Sequence, residues 1–87
     1  MEPIYLKSEE YGLEVFKFDF EKLKTTIIYK ELECRIEEYD DKEDMDFSIK
    51  REVESFASFI SESEFNEQLN IFYTNLKQTI QNETHNN

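Results

Sequence analysis

The sequence predicts an α+β fold: a small antiparallel β-meander of two to three strands, followed by two C-terminal amphipathic helices. Three observations predict it. In the first half, apolar residues recur with a period of two, the alternation of a strand with one buried face. In the second half they recur at intervals of three and four, which is one face of a helix. Between the halves lies Tyr39-Asp40-Asp41-Lys42-Glu43-Asp44, a polar turn rich in Asp, a residue that tolerates turn conformations. A mostly helical fold is the alternative if the aromatic first half is not sheet.

Pro3 makes residues 1–5 an extended lead-in. Gly12 stands just before the first alternating run. From Leu13 to Glu21, Phe16, Phe18 and Phe20 alternate with Lys17, Asp19 and Glu21, so a half-buried strand is expected. The polar break Glu21-Lys22-Leu23-Lys24 follows. Thr25-Thr26-Ile27-Ile28-Tyr29 is β-branched and aromatic, which suits a pleated surface. Leu32, Cys34 and Ile36 then alternate with Glu31, Glu33, Arg35 and Glu37. No turn signal separates the last two pieces, which read as one long bent strand or two short ones. After the acidic turn, Met45, Phe47 and Ile49 fall on one side of a returning third strand.

Val53, Phe56, Ala57 and Ile60 sit at i, i+3, i+4 and i+7, the spacing of a first helix with Ser48 as its N-cap. Phe65, Leu69, Phe72, Tyr73, Leu76 and Ile80 form the unbroken stripe of a second helix. Ser61 with Glu64 matches a capping box at its start. Both helices are expected to pack on one face of the sheet. The chain has 87 residues, the length of one domain. That domain is placed at residues 1–82, with 83–87 a fraying tail.

Charge is the most informative feature of the composition. Asp and Glu number 21 against 10 Lys and Arg, a net charge of −11. Such a balance disfavours nucleic acid and anionic membranes and favours basic partners. The charge is also uneven. Residues 1–30 have a net charge of −1, while residues 31–51 and 52–87 have −5 each. Solubility alone would not distribute acids in this way.

The usual requirements for catalysis are missing. The lone His85 lies in the expected tail, where no general base could be held against a substrate. Cys34 sits on the apolar side of an alternating run and reads as a small core residue. The single Gly12 cannot build a phosphate-cradling loop. Asp40, Asp41, Glu43, Asp44 and Asp46 lack the spacing and the glycine of a calcium loop. No enzyme, cofactor or metal site is therefore expected. One cysteine excludes an internal disulfide and fits a reducing, cytoplasmic location. Met1-Glu2-Pro3 opens no apolar run, so no secretory leader or membrane span is expected.

A binding role remains. Carboxylates spaced along a strand, a turn and helices can occupy a groove built for phosphates. The candidate partner-binding residues are Glu37, Glu38, Tyr39, Asp40, Asp41, Glu43, Asp44, Asp46, Glu54, Glu62 and Glu64. Glu31, Glu33, Glu52 and Glu67 extend the same array. Tyr39 is the candidate interface anchor, because Tyr joins apolar area to a polar tip; the competing reading has it covering the core from the rim. The competing reading of the acids is a solvated hairpin tip that blunts a sheet edge.

Three segments, Glu31-Leu32-Glu33, Glu37-Glu38-Tyr39-Asp40-Asp41-Lys42-Glu43-Asp44 and Val53-Glu54-Ser55-Phe56-Ala57-Ser58-Phe59-Ile60, carry a resemblance. In size, acidity and succession of elements the chain resembles the small phage-encoded inhibitors of bacterial defence, the anti-CRISPR proteins of the DNA-mimic type. The likeness is one of pattern over the greater part of the chain, and no binding residue is transferred from it. It implies a non-catalytic inhibitor that occupies the basic nucleic-acid-binding site of an RNA-guided or other defence nuclease. Two alternatives belong beside it. One is an immunity protein or antitoxin neutralising a nuclease toxin. The other is a small structural or adaptor protein whose acidic surface only keeps it dissolved.

Overall fold

Val15-Phe16 and Ile27-Ile28 are adjacent apolar pairs in otherwise alternating runs. Successive strand residues point to opposite faces, so both faces of these strands must be covered. In the computed structural model they are. It describes the backbone of residues 1–85 and the side chains of residues 1–83. Four strands, β1 (Ile4–Ser8), β2 (Glu14–Asp19), β3 (Lys24–Tyr29) and β4 (Glu33–Glu38), form an antiparallel meander. Helix α1 (Lys42–Glu54) follows, then a two-residue strand β5 (Ser58–Phe59) and helix α2 (Glu62–His85). The sheet therefore has five strands, in the order β4-β3-β2-β1-β5.

The helices lie on opposite faces, not on one as the sequence led us to expect. Met45 and Ile49 of α1 close a core with Leu6, Phe16, Phe18 and Ile27. Phe65 of α2 closes a second core with Val15 and Ile28, flanked by Tyr5, Leu69 and Phe72. A sheet buried on both sides gives even a small chain two apolar layers, and each buried large side chain contributes roughly 1.5–3 kcal/mol.

Several elements differ from the sequence expectation. The lead-in extends into a full strand, β1, paired with β2 from Ile4↔Phe18 to Ser8↔Glu14. Residues 25–38 form two strands. They are joined at Lys30 and Glu31, both at positive φ (51° and 62°), with Leu32 N–H donating to the Tyr29 carbonyl at 3.1 Å. Two consecutive left-handed residues make a tight hairpin turn whose twist matches that of the strands. Gly12, at φ 107°, closes the β1–β2 loop where a Cβ would meet Lys30 Cε at 2.5 Å.

The expected third strand over 45–49 is helical. Met45 and Ile49 are buried at i and i+4, whereas Phe47 between them is 67% exposed. Ser48 lies inside α1, and Asp41 is the N-cap: its Oδ1 accepts from Asp44 N–H at 2.9 Å. The expected helix over 53–60 is instead the end of α1, a connection and β5. Ala57 packs on the first core and Ile60 on the second, so this segment carries the chain around the β1 edge from one face to the other. Ile60 N–H donates to the Tyr5 carbonyl at 3.0 Å on the way.

The second helix is where its stripe placed it, and Ser61 Oγ accepts from Glu64 N–H at 3.1 Å as a capping residue should. It runs through His85. Asn86 and Asn87 of the expected tail, and the side chain of His85, lie outside the described residues.

Candidate functional site

The candidate acids divide by position. Glu37 and Glu38 end β4. Asp40 and Asp41 form the link, and Glu43, Asp44 and Asp46 occupy the first turns of α1. These seven lie in one stretch of chain at the β4–α1 corner, and all are exposed; Glu37 and Glu38, consecutive in β4, point to opposite faces of the sheet. The corner is acidic for a local reason as well as a global one. Asp41 caps α1, and Glu43 and Asp44 lie in its first turn, where the helix dipole favours negative charge. Glu38 pairs with Lys24 at 3.4 Å between exposed side chains; among the described residues the other six have no ion pair.

The remaining candidates lie elsewhere. Glu54 is at the far end of α1, about 20 Å from Asp41 by helical rise. Glu62 and Glu64 open α2, on the opposite side of the sheet. Glu62 neighbours Tyr5 and Lys17, and Glu64 neighbours Lys7. Burial, followed by the charges of Glu62, Asp19 and Glu2, raises the Tyr5 phenol above its ordinary range. One continuous array from β4 to α2 is therefore not formed.

Tyr39 is half-buried and packs against the α1-side core. Its hydroxyl accepts from Thr25 Oγ1 at 2.8 Å, which satisfies a side chain that is 0% exposed. Tyr39 closes the seam between sheet and helix; the exposed charged groups of the corner are the carboxylates and Lys42, whose ammonium lies 5.9 Å from the Phe20 ring centroid. Cys34, expected in the core, is exposed on β4.

Two features escaped the sequence reading. The first is a polar cleft of about 160 Å³ between α1 and the sheet, lined in part by Glu14, Glu37, Glu52, Arg35 and Arg51. Arg35 Nη2 approaches Glu14 Oε2 at 3.7 Å. Burial raises the Glu52 carboxyl above the usual range. Glu14 adds to the rise, Arg51 opposes it, and Glu37 and Glu10 add further. A signal for this cleft was present. Glu14 shares the β2 face of Phe16 and Phe18, and Glu52 follows Met45 and Ile49 at helical spacing, so both acids fall on inward faces.

The second feature is aromatic. Phe47 (67%), Phe56 (92%) and Phe59 (67%) are exposed. Phe56 holds the left-handed position that ends α1, at φ 68°. Its N–H donates to the Val53 carbonyl and that of Ala57 to the Glu52 carbonyl, at 3.1 and 3.0 Å. This pair of bonds is a Schellman motif, where Gly is the usual residue.

Among the described residues, no three His, Cys, Asp or Glu side chains converge as a metal site requires. Among the same residues, no helix is long and apolar enough to cross a membrane. No family model, curated protein or solved structure matches this chain.

Proposed function

We propose that the chain is a non-catalytic inhibitor that binds the basic nucleic-acid-binding surface of a bacterial defence nuclease in the host cytoplasm, in the manner of an anti-CRISPR protein of the DNA-mimic type. One observation carries this reading: six exposed carboxylates at the β4–α1 corner, namely Glu37, Asp40, Asp41, Glu43, Asp44 and Asp46, none of which has an ion pair among the described residues. Acids held on a strand end and a capped helix are available for Arg and Lys of a partner at little cost in ordering. Strands and helices place such groups more firmly than a loop would.

A second reading, an adaptor that docks through apolar surface, is favoured by the exposed Phe47, Phe56 and Phe59. Salt separates the two. Exposed charge pairs are screened within about 8–10 Å at physiological ionic strength, whereas apolar contacts are not.

The test is capture from bacterial lysate at low salt, followed by a high-salt wash and by competition with DNA. The inhibitor reading expects a basic nuclease released by both treatments. The variant must spare Asp41, because loss of its cap alone costs about 1 kcal/mol of stability. Asp40→Asn, Glu43→Gln and Asp46→Asn together leave the cap intact. If their pairs are desolvated, binding weakens by on the order of 2–5 kcal/mol or more. Unchanged affinity in this triple variant would remove the corner from the interface.

A further inference from the structure

Helix α2 outruns the sheet on which it packs. Phe65, Leu69 and Phe72 seat its first half. Asn75 Nδ2 then donates to the Glu31 carbonyl at 3.1 Å, at the β3–β4 turn. Every residue from Leu76 to Glu83 is exposed. Helical rise carries the backbone about 15 Å past Asn75 by His85. The molecule is correspondingly 48 Å long against 25 and 21 Å across.

The apolar stripe continues past that anchor. With 3.6 residues per turn, Leu76 and Ile80 fall on the side of Phe65, Leu69 and Phe72, and Tyr73 lies beside them. Their exposures are 44%, 53% and 56%. Intrinsic propensity along this overhang is mixed. Leu76, Lys77, Gln78, Gln81 and Glu83 favour helix while Thr79, Asn82 and Thr84 do not, and a segment this short is marginal in water without packing.

Charge selects the occupant. Residues 71–85 contain one base, Lys77, and one acid, Glu83. They form a neutral end on a chain of net charge −11. A basic partner is drawn to the acidic corner instead, and a like-charged copy is repelled least at this end. The open edge of β4 is a poor alternative for self-pairing, because Glu33, Glu37 and Glu38 would crowd those of the second copy.

We propose that the distal half of α2 is a homodimer contact. Tyr73, Leu76 and Ile80 pack against the same residues of a second copy, with the two helices antiparallel about a two-fold axis. The contact is small, below the roughly 1,000 Å² of a stable interface, so association is weak and concentration-dependent. It leaves the acidic corner of each copy free and is independent of the inhibitor reading.

Sedimentation equilibrium of the full chain tests this, from low micromolar to several hundred micromolar protein, at low and high NaCl. The expected result is a mass rising toward that of two chains with concentration, and rising further with salt as repulsion between like-charged copies is screened. Leu76→Glu lowers the association constant by on the order of tenfold or more. Gln78→Glu adds the same charge two residues away on another side of the helix and has a small effect. Far-UV circular dichroism establishes that both variants keep their helices. A single-chain mass at every concentration and both salts overturns the proposal. So does association that salt dissolves, or an equal loss in the two variants.

Discussion

Phe56 stands where a helix normally ends in glycine. A side chain at φ 68° brings its Cβ against the neighbouring carbonyl, and a non-glycine residue there costs on the order of 1–3 kcal/mol. The ring recovers little by packing, since it is 92% exposed. Phe56→Gly should therefore stabilise the fold, by about 1 kcal/mol once the greater freedom of glycine in the unfolded chain is counted. The check is a urea midpoint that rises with an unchanged slope. A lower midpoint would mean that the ring is held by contacts in the native state. Strained backbone positions cluster at functional sites, which is why the same variant belongs in the binding assay.

Glu52 poses the opposite problem, a charge placed inward. Burial and Glu14 push its carboxyl up, against the pull of Arg51. A carboxyl raised on folding disfavours the folded state whenever it is ionised, and protonation relieves that penalty. At neutral pH, Glu52→Gln should therefore be more stable than the parent. The gap should narrow as pH falls through the raised value, and close below the ordinary carboxylate value of about 4.3. Parallel urea titrations of the two proteins at several pH values read this directly. A gap that is constant with pH would assign the effect to packing.

At the scale of elements, the sequence was legible wherever one period held over several turns. The stripe from Phe65 to Ile80 marked α2, and Ser61 marked its cap. The alternation of Phe16 and Phe18 marked β2. It misled where two periods coincide. Met45, Phe47 and Ile49 satisfy alternation, but Met45 and Ile49 also stand at i and i+4. The cap supplied by Asp41 decides for helix. Val53, Phe56, Ala57 and Ile60 satisfy helical spacing, yet the chain leaves the helix at Ser55, and Ala57 and Ile60 serve different cores. The β3–β4 turn carried no signal, because Lys30 and Glu31 occupy left-handed positions usually held by Asn or Gly. The acidic corner was legible as composition. Its separation from Glu62 and Glu64 was not, since that depends on the two helices taking opposite faces. That arrangement follows from the adjacent buried pairs Val15-Phe16 and Ile27-Ile28.

For the whole molecule, charge acts against the fold. Net charge far from zero destabilises a compact state through self-repulsion. The screening length is about 30 Å at 0.01 M salt and about 10 Å at 0.1 M. The shorter dimensions here are 25 and 21 Å. At low salt, then, acids at the β4–α1 corner and at the start of α2 repel one another across the sheet; at high salt only close neighbours interact. The attractions lost to screening are small. Lys24–Glu38, at 3.4 Å, joins two exposed side chains, and Arg35–Glu14, at 3.7 Å, joins an exposed Arg to a Glu that is 22% exposed; an exposed pair contributes about 0–1 kcal/mol, and the second is long for a salt bridge. Repulsion should win. Added NaCl should raise the stability to urea by on the order of 1 kcal/mol between low and high ionic strength. Urea is the right denaturant because it is uncharged, and low micromolar protein keeps self-association out of the reading. A midpoint that falls with salt would mean that specific ion pairs, rather than repulsion among acids, dominate the electrostatics of the native state. The same measurement bears on the acidic corner. A midpoint that rises with salt would support the proposed cationic partner, because counter-charges would then relieve a repulsion that the free protein carries.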